Sequence, residues 1–151
     1  MKIKAIDHIG IAVRDLEKGQ VRWTALFGPE SGPIEEIAAR GVRLVKLNFP
    51  EGPSVELISP LGDASALAKF LEDRGEGIHH FCLEVEDIEA MMEELKNAGL
   101  QFVSDKPQKG ASGSLVAFIH PRSLNGALVE LREGKAPRKR KKTRGKNIRK
   151  T

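Results

Sequence analysis

The length and composition of the chain are those of a small, cysteine-poor protein. Its 151 residues suffice for one compact domain or for two half-size modules that share a core, and 40% hydrophobic residues are enough for a packed interior. The single cysteine, Cys82, excludes an internal disulfide framework and favours a reducing compartment. No segment is apolar for long enough to cross a membrane, and the N-terminus lacks the apolar region of a signal peptide. We therefore expect a soluble cytoplasmic protein with no membrane partner.

The net charge of +4 comes from one end of the chain. Residues 135–151 contain ten Lys or Arg and no acidic residue, so residues 1–134 carry a net charge of −6. A basic segment without apolar periodicity is predicted to be a disordered tail, which follows a folded domain over residues 1–134. We expect a solubilising extension, because the tail has no aromatic residues for base stacking and would attract nucleic acid only nonspecifically.

The first half of the chain is predicted to form a strand, a helix and two further strands. These elements cover residues 3–13, about 16–27, about 42–49 and about 54–59. Asp15 is a suitable N-cap for the helix, and Gly28–Pro29 ends it. In the first strand the side chain of His8 is on the face opposite Ile9 and Ile11, because strand side chains alternate.

A connecting segment leads to a second half with the same order of elements. The predicted elements are a short helix over Ala66–Asp73, a strand near 77–85, a helix after Asp87, and strand candidates at 101–104, 114–120 and 126–132. Ser65 and Asp87 are suitable N-caps for the two helices. Each half thus has a strand, a helix and then two or three strands. We predict two βαβββ modules, over about residues 3–60 and 77–133, in an α+β fold whose modules pair into a curved mixed sheet.

A long internal repeat connects the two halves. Two eleven-residue segments align without a gap, and the alignment places His8 on His80. The aligned segments are residues 7–17 and 79–89. Glu56 lies 48 residues after His8, and Glu130 lies 50 residues after His80. A period of this length, seen twice, indicates two copies of one supersecondary unit, each of which contributes one His and one Glu.

These four residues form a candidate metal site. In each predicted strand the His or Glu is opposite the bulky aliphatic residues, so His8, Glu56, His80 and Glu130 would line the concave face of the sheet while the aliphatics pack against the helices. Polar groups on such a face need a partner, which a divalent cation would supply. Two imidazoles and two carboxylates favour Co, Mn, Zn, Ni or Fe over Ca, which prefers oxygen ligands alone.

Each of these residues also has a simpler interpretation. A lone His in a strand is more often structural than a ligand, and only the recurrence in register favours the metal hypothesis. His79 could compete with His80, but the repeat selects His80. His120 is predicted to lie in a turn, and Cys82 is predicted to be a buried, inert thiol on the cavity face.

The repeated motifs resemble the vicinal oxygen chelate superfamily, which includes glyoxalase I, extradiol dioxygenases, bleomycin-resistance proteins and methylmalonyl-CoA epimerases. The resemblance covers about residues 3–133 and is strongest to the epimerases. It rests on the segments Asp7-His-Ile-Gly-Ile-Ala-Val13, Val55-Glu-Leu-Ile-Ser-Pro60, Gly77-Ile-His-His80, Gly110-Ala-Ser-Gly113, Phe118-Ile-His-Pro121 and Gly126-Ala-Leu-Val-Glu-Leu131.

The resemblance implies a glyoxalase-like fold and a metal-dependent epimerase. Such an enzyme interconverts (2R)- and (2S)-methylmalonyl-CoA through an enolate that the metal stabilises. It also implies that His8, Glu56, His80 and Glu130 bind the metal and that Glu130 is one of the two bases. An acyl-CoA substrate and a homodimer follow as expectations.

The chain departs from the epimerases at the second base. Some epimerases have a Glu where this chain has Leu44, and Leu44 cannot transfer a proton, so the base for the opposite face is unassigned. Glu84 is a weak candidate, since alternation places it on the cavity side. The segment Ile37–Arg40 also lacks the acidic residue and the Gln or His that relatives often have there.

Three other functions are compatible with the same superfamily. A glyoxalase I-type lyase would use similar enolate chemistry, but the chain has no recognisable signature for glutathione. An extradiol dioxygenase typically has two His and one Glu, so the additional Glu56 argues against it. A metal-free drug-binding protein of the bleomycin-resistance type usually lacks the His and Glu set.

The cations that we expect near the phosphates of coenzyme A are Lys106, Lys109 and Arg122.

Overall fold

The structure, a computed structural model, describes residues 2–27 and 31–134. The predicted basic tail, 135–151, and the predicted helix stop at Gly28–Pro29 lie outside the described residues. Within the described ranges, no helix is long and apolar enough to span a membrane.

The described residues form eight strands and three α-helices. The strands are β1 (Ile3–Ala12), β2 (Glu35–Ile37), β3 (Val42–Leu47), β4 (Ser54–Pro60), β5 (Gly77–Val85), β6 (Gln108–Lys109), β7 (Leu115–Ile119) and β8 (Val129–Glu133), and the helices are α1 (Leu16–Phe27), α2 (Ala66–Arg74) and α3 (Ile88–Asn97). The helices begin where they were predicted to begin. Asp15, Ser65 and Asp87 each accept a hydrogen bond from the backbone N–H three residues later, as N-caps do.

All eight strands belong to one mixed, curled sheet in the order β2-β3-β4-β1-β5-β8-β7-β6. The antiparallel pair β1 and β5 lies at its centre and joins the two modules. Each of these strands has a parallel partner from its own module, β4 for β1 and β8 for β5. The predicted architecture of two paired βαβββ modules is confirmed.

The predicted boundaries are wrong at the two ends of the sheet. Residues 101–104 were expected to form a strand, but only Phe102 makes an isolated bridge, to Ile119. The edge strands β2 and β6, with three and two residues, were not predicted. Strands of two or three residues are too short to show an alternation of apolar and polar side chains, and pairing with a longer neighbouring strand holds them in place.

The aliphatic side chains pack mainly on the outer face of the sheet, as predicted. One cluster under α1 contains Val55 and Leu57, and a second under α3 contains Val129 and Leu131. Ile9 is an exception, because it is 36% exposed and does not pack under a helix.

The third cluster lies on the inner face, beside the polar residues that were predicted to line it. There α2 places Leu67 and Leu71 against Ala12, Leu44 and Ile58. Ala12 and Ile58 are on the same faces of their strands as His8 and Glu56. The inner face therefore has an apolar region beside the polar cluster.

We expect Leu57→Ala to lower the free energy of unfolding by about 2–5 kcal/mol, because Leu57 is 0% exposed and its removal leaves a cavity. The matched control is Leu26→Ala on α1, where the side chain is 77% exposed and the change should be about 0.5 kcal/mol or less. Urea unfolding followed by circular dichroism measures both. Equal losses would contradict the assignment of Leu57 to the core.

Candidate metal centre

Four neighbouring central strands each contribute one residue to a buried polar cluster. His8 is on β1, Glu56 on β4, His80 on β5 and Glu130 on β8, and none is more than 3% exposed. The strand register brings them together, because Gly10 of β1 is opposite both Glu56 and His80. The structure thus assembles all four residues that the repeat singled out.

The polar atoms of the cluster converge on one point. Nε2 of His8 lies 3.1 Å from Nε2 of His80, and both approach Oε2 of Glu130, at 3.6 Å and 2.9 Å. Oε1 of Glu56 is 3.6 Å from Nε2 of His8. One ligand atom each from His8, Glu56 and His80 lies within 4.8 Å of the others, the arrangement expected around a shared ion.

Gly10 is part of the cluster although it has no side chain. A Cβ atom at this position would lie 2.1 Å from Cε1 and 2.4 Å from Nδ1 of His80. The imidazole of His80 therefore occupies the space that any other residue at position 10 would fill. The sequence alone does not reveal this role, because the close approach depends on the pairing of β1 with β5.

Each histidine of the cluster is held by the residue that precedes it. Asp7 and His79 occupy the same position in the repeat, and both lie at register shifts of the β1–β5 ladder. Such a bulge turns a side chain toward the face of its neighbour. Oδ2 of Asp7 lies 2.7 Å from Nδ1 of His8, and Nδ1 of His79 lies 2.9 Å from Nδ1 of His80.

These contacts select the tautomer of each histidine. Burial and the neighbouring cationic groups lower the pKa of His79 to about 4, so its imidazole is neutral and can accept a hydrogen bond from Nδ1–H of His80. Asp7 accepts from Nδ1–H of His8 in the same way. In both histidines Nε2 is then the atom directed into the cluster, as in metal sites whose ligands are oriented by outer hydrogen bonds.

The charges of the cluster are compatible with a bound cation. Burial lowers the pKa of His8, but the hydrogen bond with Asp7 and the carboxylates of Glu130 and Glu56 raise it to about 12. Burial raises the pKa of Glu130, yet the imidazoles of His8 and His80 hold it well below its usual range. Oε2 of Glu130 is buried and no contact reaches it with the alignment of a hydrogen bond. The His8, Glu56 and His80 set therefore fits a divalent metal ion.

The other singled-out residues lie outside the cluster or at its border. Leu44 is buried in the apolar region of the inner face. Glu84 is paired in register with Arg132, two residues beyond the pair of Cys82 and Glu130. Cys82 is buried beside His8, and burial raises the pKa of its thiol to about 11, which agrees with an inert thiol. His120 precedes a 3₁₀ turn and accepts a hydrogen bond from a backbone N–H.

Two cavities open beside the cluster. The larger has a volume of about 460 Å³, and its walls include His79, His80 and Phe70 together with the basic residues Lys69 and Arg74. The smaller, of about 240 Å³, is lined mainly by apolar side chains. The cations expected near coenzyme A phosphates are not in these walls, and one of them, Lys106, lines a groove beside α3 instead.

Comparison with known proteins places these features in a family. Residues 7–118 match the model of the Glyoxalase/Bleomycin resistance protein/Dioxygenase superfamily. Over 133 residues the chain is 41% identical to an ethylmalonyl-CoA/methylmalonyl-CoA epimerase of Cereibacter sphaeroides, in an alignment that covers 87% of this chain and 98% of the relative.

Solved structures agree with the sequence match. A methylmalonyl-CoA epimerase in complex with methylmalonyl-CoA and NH4+ has a TM-score of 0.85 and 31% identity, over 89% of this chain and 97% of the other. The methylmalonyl-CoA epimerase of Mycobacterium tuberculosis has a TM-score of 0.84 and 34% identity, over 89% of this chain and 90% of the other.

Proposed function

Because the chain belongs to the Glyoxalase/Bleomycin resistance protein/Dioxygenase superfamily, we propose that it is a metal-dependent epimerase that interconverts (2R)- and (2S)-methylmalonyl-CoA. The observation that carries the proposal is the buried cluster of His8, Glu56, His80 and Glu130, with His80 in the wall of a cavity of about 460 Å³. The names of the epimerases to which the chain is similar give ethylmalonyl-CoA and methylmalonyl-CoA as the compounds they act on.

The four residues of the cluster would hold a divalent ion, with Co, Mn, Zn, Ni and Fe as the metals that suit mixed imidazole and carboxylate ligands. Such an ion supplies Lewis-acid stabilisation of the negative charge that develops when C2 of the substrate loses its proton. The protein contributes the orientation of the ligands. Asp7 and His79 hold the two imidazoles, and burial of the cluster excludes bulk water, which strengthens every charge interaction within it.

Glu130 is the proposed base. Its carboxylate is ionised because the neighbouring imidazoles keep its pKa low, and its Oε2 lies 2.9 Å from Nε2 of His80, where the polar atoms of the cluster converge. Removal of the C2 proton gives a planar enolate, which can be reprotonated on either face. Reprotonation from the side of Glu130 returns the original epimer.

Inversion needs a second proton donor on the other face of the enolate. Leu44 cannot serve, and Glu84 lies at the level of Arg132. Among the described residues, Glu56 is the only buried carboxylate besides Glu130, and it lies on the opposite side of the two central strands. We propose Glu56 for this role. Glu56→Gln should then let one epimer exchange its C2 hydrogen while inversion slows, and equal inversion rates in variant and wild type would reject the role.

The test of the overall proposal is exchange of the C2 hydrogen of methylmalonyl-CoA with deuterated solvent, followed by NMR. Protein loaded with a divalent metal should catalyse exchange, and EDTA-treated protein should not. Absence of exchange in protein shown to contain a metal would reject the epimerase, and a glyoxalase I-type thiohemiacetal would be the next substrate to examine. Protein that binds no divalent metal would instead favour a metal-free binding protein of the bleomycin-resistance type.

Metal binding should release about one proton per chain at pH 7. The raised pKa of His8, about 12, means that its imidazole is charged in the metal-free protein, so an ion that binds Nε2 must displace a proton. Apparent metal affinity should therefore rise with pH, by about tenfold per unit. Calorimetry in buffers with different ionisation enthalpies measures the release. His120→Gln is the control and should release the same number, and a wild-type release of zero would contradict the charged state of His8.

A homodimer is a separate proposal. It is supported by Ile3, Ile6 and Ile9, which are exposed along the central strand β1. Sedimentation equilibrium should give twice the chain mass of 16.6 kDa, and Ile6→Lys should shift the mass toward that of one chain. A wild-type mass of 16.6 kDa at micromolar concentration would rule the homodimer out.

A further inference from the structure

Arg40 is a cation without a carboxylate partner beside the proposed active site. It is the last residue of the 3₁₀ turn Ala38–Arg40, which connects β2 to β3. Its guanidinium lies over the ring of Phe118, with 5.0 Å from the guanidinium carbon to the ring centroid. Phe118 in turn packs edge-to-face against His80, with 5.8 Å between centroids. One aromatic ring therefore separates Arg40 from a proposed metal ligand.

Two other arginines of this chain form ion pairs with carboxylates, as structural arginines do. Arg43, three residues further on, pairs with Glu17 and Glu36, and Arg132 pairs with Asp7. Arg40, by contrast, forms no ion pair with any carboxylate of residues 2–27 and 31–134. The charge of Glu130 acts on Arg40 through space, but no carboxylate of the described residues contacts it directly. A half-buried guanidinium without a direct partner favours an anionic ligand at this point.

The surroundings of Arg40 indicate the size of that anion. The cavity of about 240 Å³ in which it lies is lined largely by apolar side chains, among them Val42, Ile58 and Phe118. The volume is below the range usual for pockets that hold drug-sized ligands, and the apolar walls do not suit a chain of phosphates. A single carboxylate with a short alkyl group beside it matches both the charge and the walls. The planar guanidinium can bind a carboxylate through two parallel hydrogen bonds.

We propose that Arg40 binds the free carboxylate of the acyl group and so restricts the enzyme to coenzyme A thioesters that carry a second carboxylate at C2. The role rests on the proposed function, since it assumes that the acyl group enters beside His80. Coenzyme A itself would occupy the larger cavity, whose walls include Arg74 and Lys69, the latter paired with Asp73. Arg40 would then position the substrate without taking part in proton transfer.

Binding of malonyl-CoA and propionyl-CoA to the full, metal-loaded chain tests this role by calorimetry. Malonyl-CoA has a carboxylate on C2 where propionyl-CoA has a methyl group, and neither ligand has a stereocentre at C2. Arg40→Gln should weaken malonyl-CoA binding on the order of 10- to 100-fold and leave propionyl-CoA binding within about twofold. Arg40→Lys, which keeps the charge but not the planar fork, should give an intermediate loss. The control Arg43→Gln should change neither affinity.

Each other outcome overturns a specific part of the inference. An equal loss for both ligands in Arg40→Gln and Arg40→Lys would mean that Arg40 supports the fold or contacts coenzyme A. No loss for malonyl-CoA would remove Arg40 from the site. The exchange assay on wild-type protein separates the two proposals. A preference for malonyl-CoA without exchange would reject the epimerase but keep Arg40 as the carboxylate site, and exchange without the preference would reject Arg40 alone.

Discussion

Glu130→Gln should reduce the rate of C2 hydrogen exchange in methylmalonyl-CoA by about 10²–10⁴-fold, the usual contribution of a positioned general base. The amide cannot accept the proton, yet it has nearly the size of the carboxylate and keeps an oxygen near His80. The fold and most of the metal affinity should therefore survive. The measurement is the initial exchange rate by NMR, at saturating metal and substrate.

Two controls are needed to interpret the exchange rate of Glu130→Gln. Metal content must be measured in the variant, because a variant that loses both metal and exchange has lost a ligand and says nothing about the base. Glu84→Gln changes a carboxylate on the neighbouring strand, paired in register with Arg132, and should exchange at nearly the wild-type rate. A metal-loaded Glu130→Gln enzyme that exchanges as fast as wild type would exclude Glu130 as the base.

Gly10→Ala should weaken metal binding by about 10- to 100-fold, a loss typical of displaced ligand support. The new Cβ would lie 2.1 Å from Cε1 of His80, so the imidazole must move out of the cluster or the central strands must separate. Either movement shifts Nε2 of His80 from its position 3.1 Å from Nε2 of His8. Competition against a chromogenic chelator measures the affinity.

The matched control for this variant is Gly19→Ala in α1. A Cβ there would meet its nearest neighbour at 3.5 Å, an ordinary contact, and alanine favours the helix by about 1 kcal/mol. This variant should bind metal as the wild type does and unfold at higher urea concentration. A Gly10→Ala protein with unchanged metal affinity would show that His80 is not held where the structure places it, or is not a ligand.

The sequence was sufficient to predict which four polar residues come together in the buried cluster, because two independent patterns agree on them. Alternation places His8 and Glu56 opposite the aliphatic side chains, and the internal repeat selects the equivalent residues His80 and Glu130. The helix starts were predictable for a similar reason, since capping by Asp15 is a local hydrogen bond that the neighbouring residues alone determine.

The features that were not predicted depend on pairing between distant segments. The bulges that turn Asp7 and His79 toward the histidines exist only in the β1–β5 ladder. Strict alternation would have placed both side chains on the outer face. Arg40 was noted only as a departure from relatives, because its neighbour Phe118 is far away in the chain. The short strands β2 and β6 likewise form only against their partners.

The division of the proposed ligand set between the two modules has a thermodynamic consequence. The first module supplies His8 and Glu56, the second supplies His80 and Glu130, and the ladder of β1 with β5 is the seam between them. An ion that needs ligands from both modules binds only while β1 and β5 are paired. Each tenfold increase in free ion above its dissociation constant should therefore add about 1.4 kcal/mol to the free energy needed to separate the modules. Conversely, a chelator should destabilise the pairing of β1 with β5 first. The amide hydrogens of these two strands should then exchange with solvent earlier than the amide hydrogens of the strand segments packed under α1 and α3.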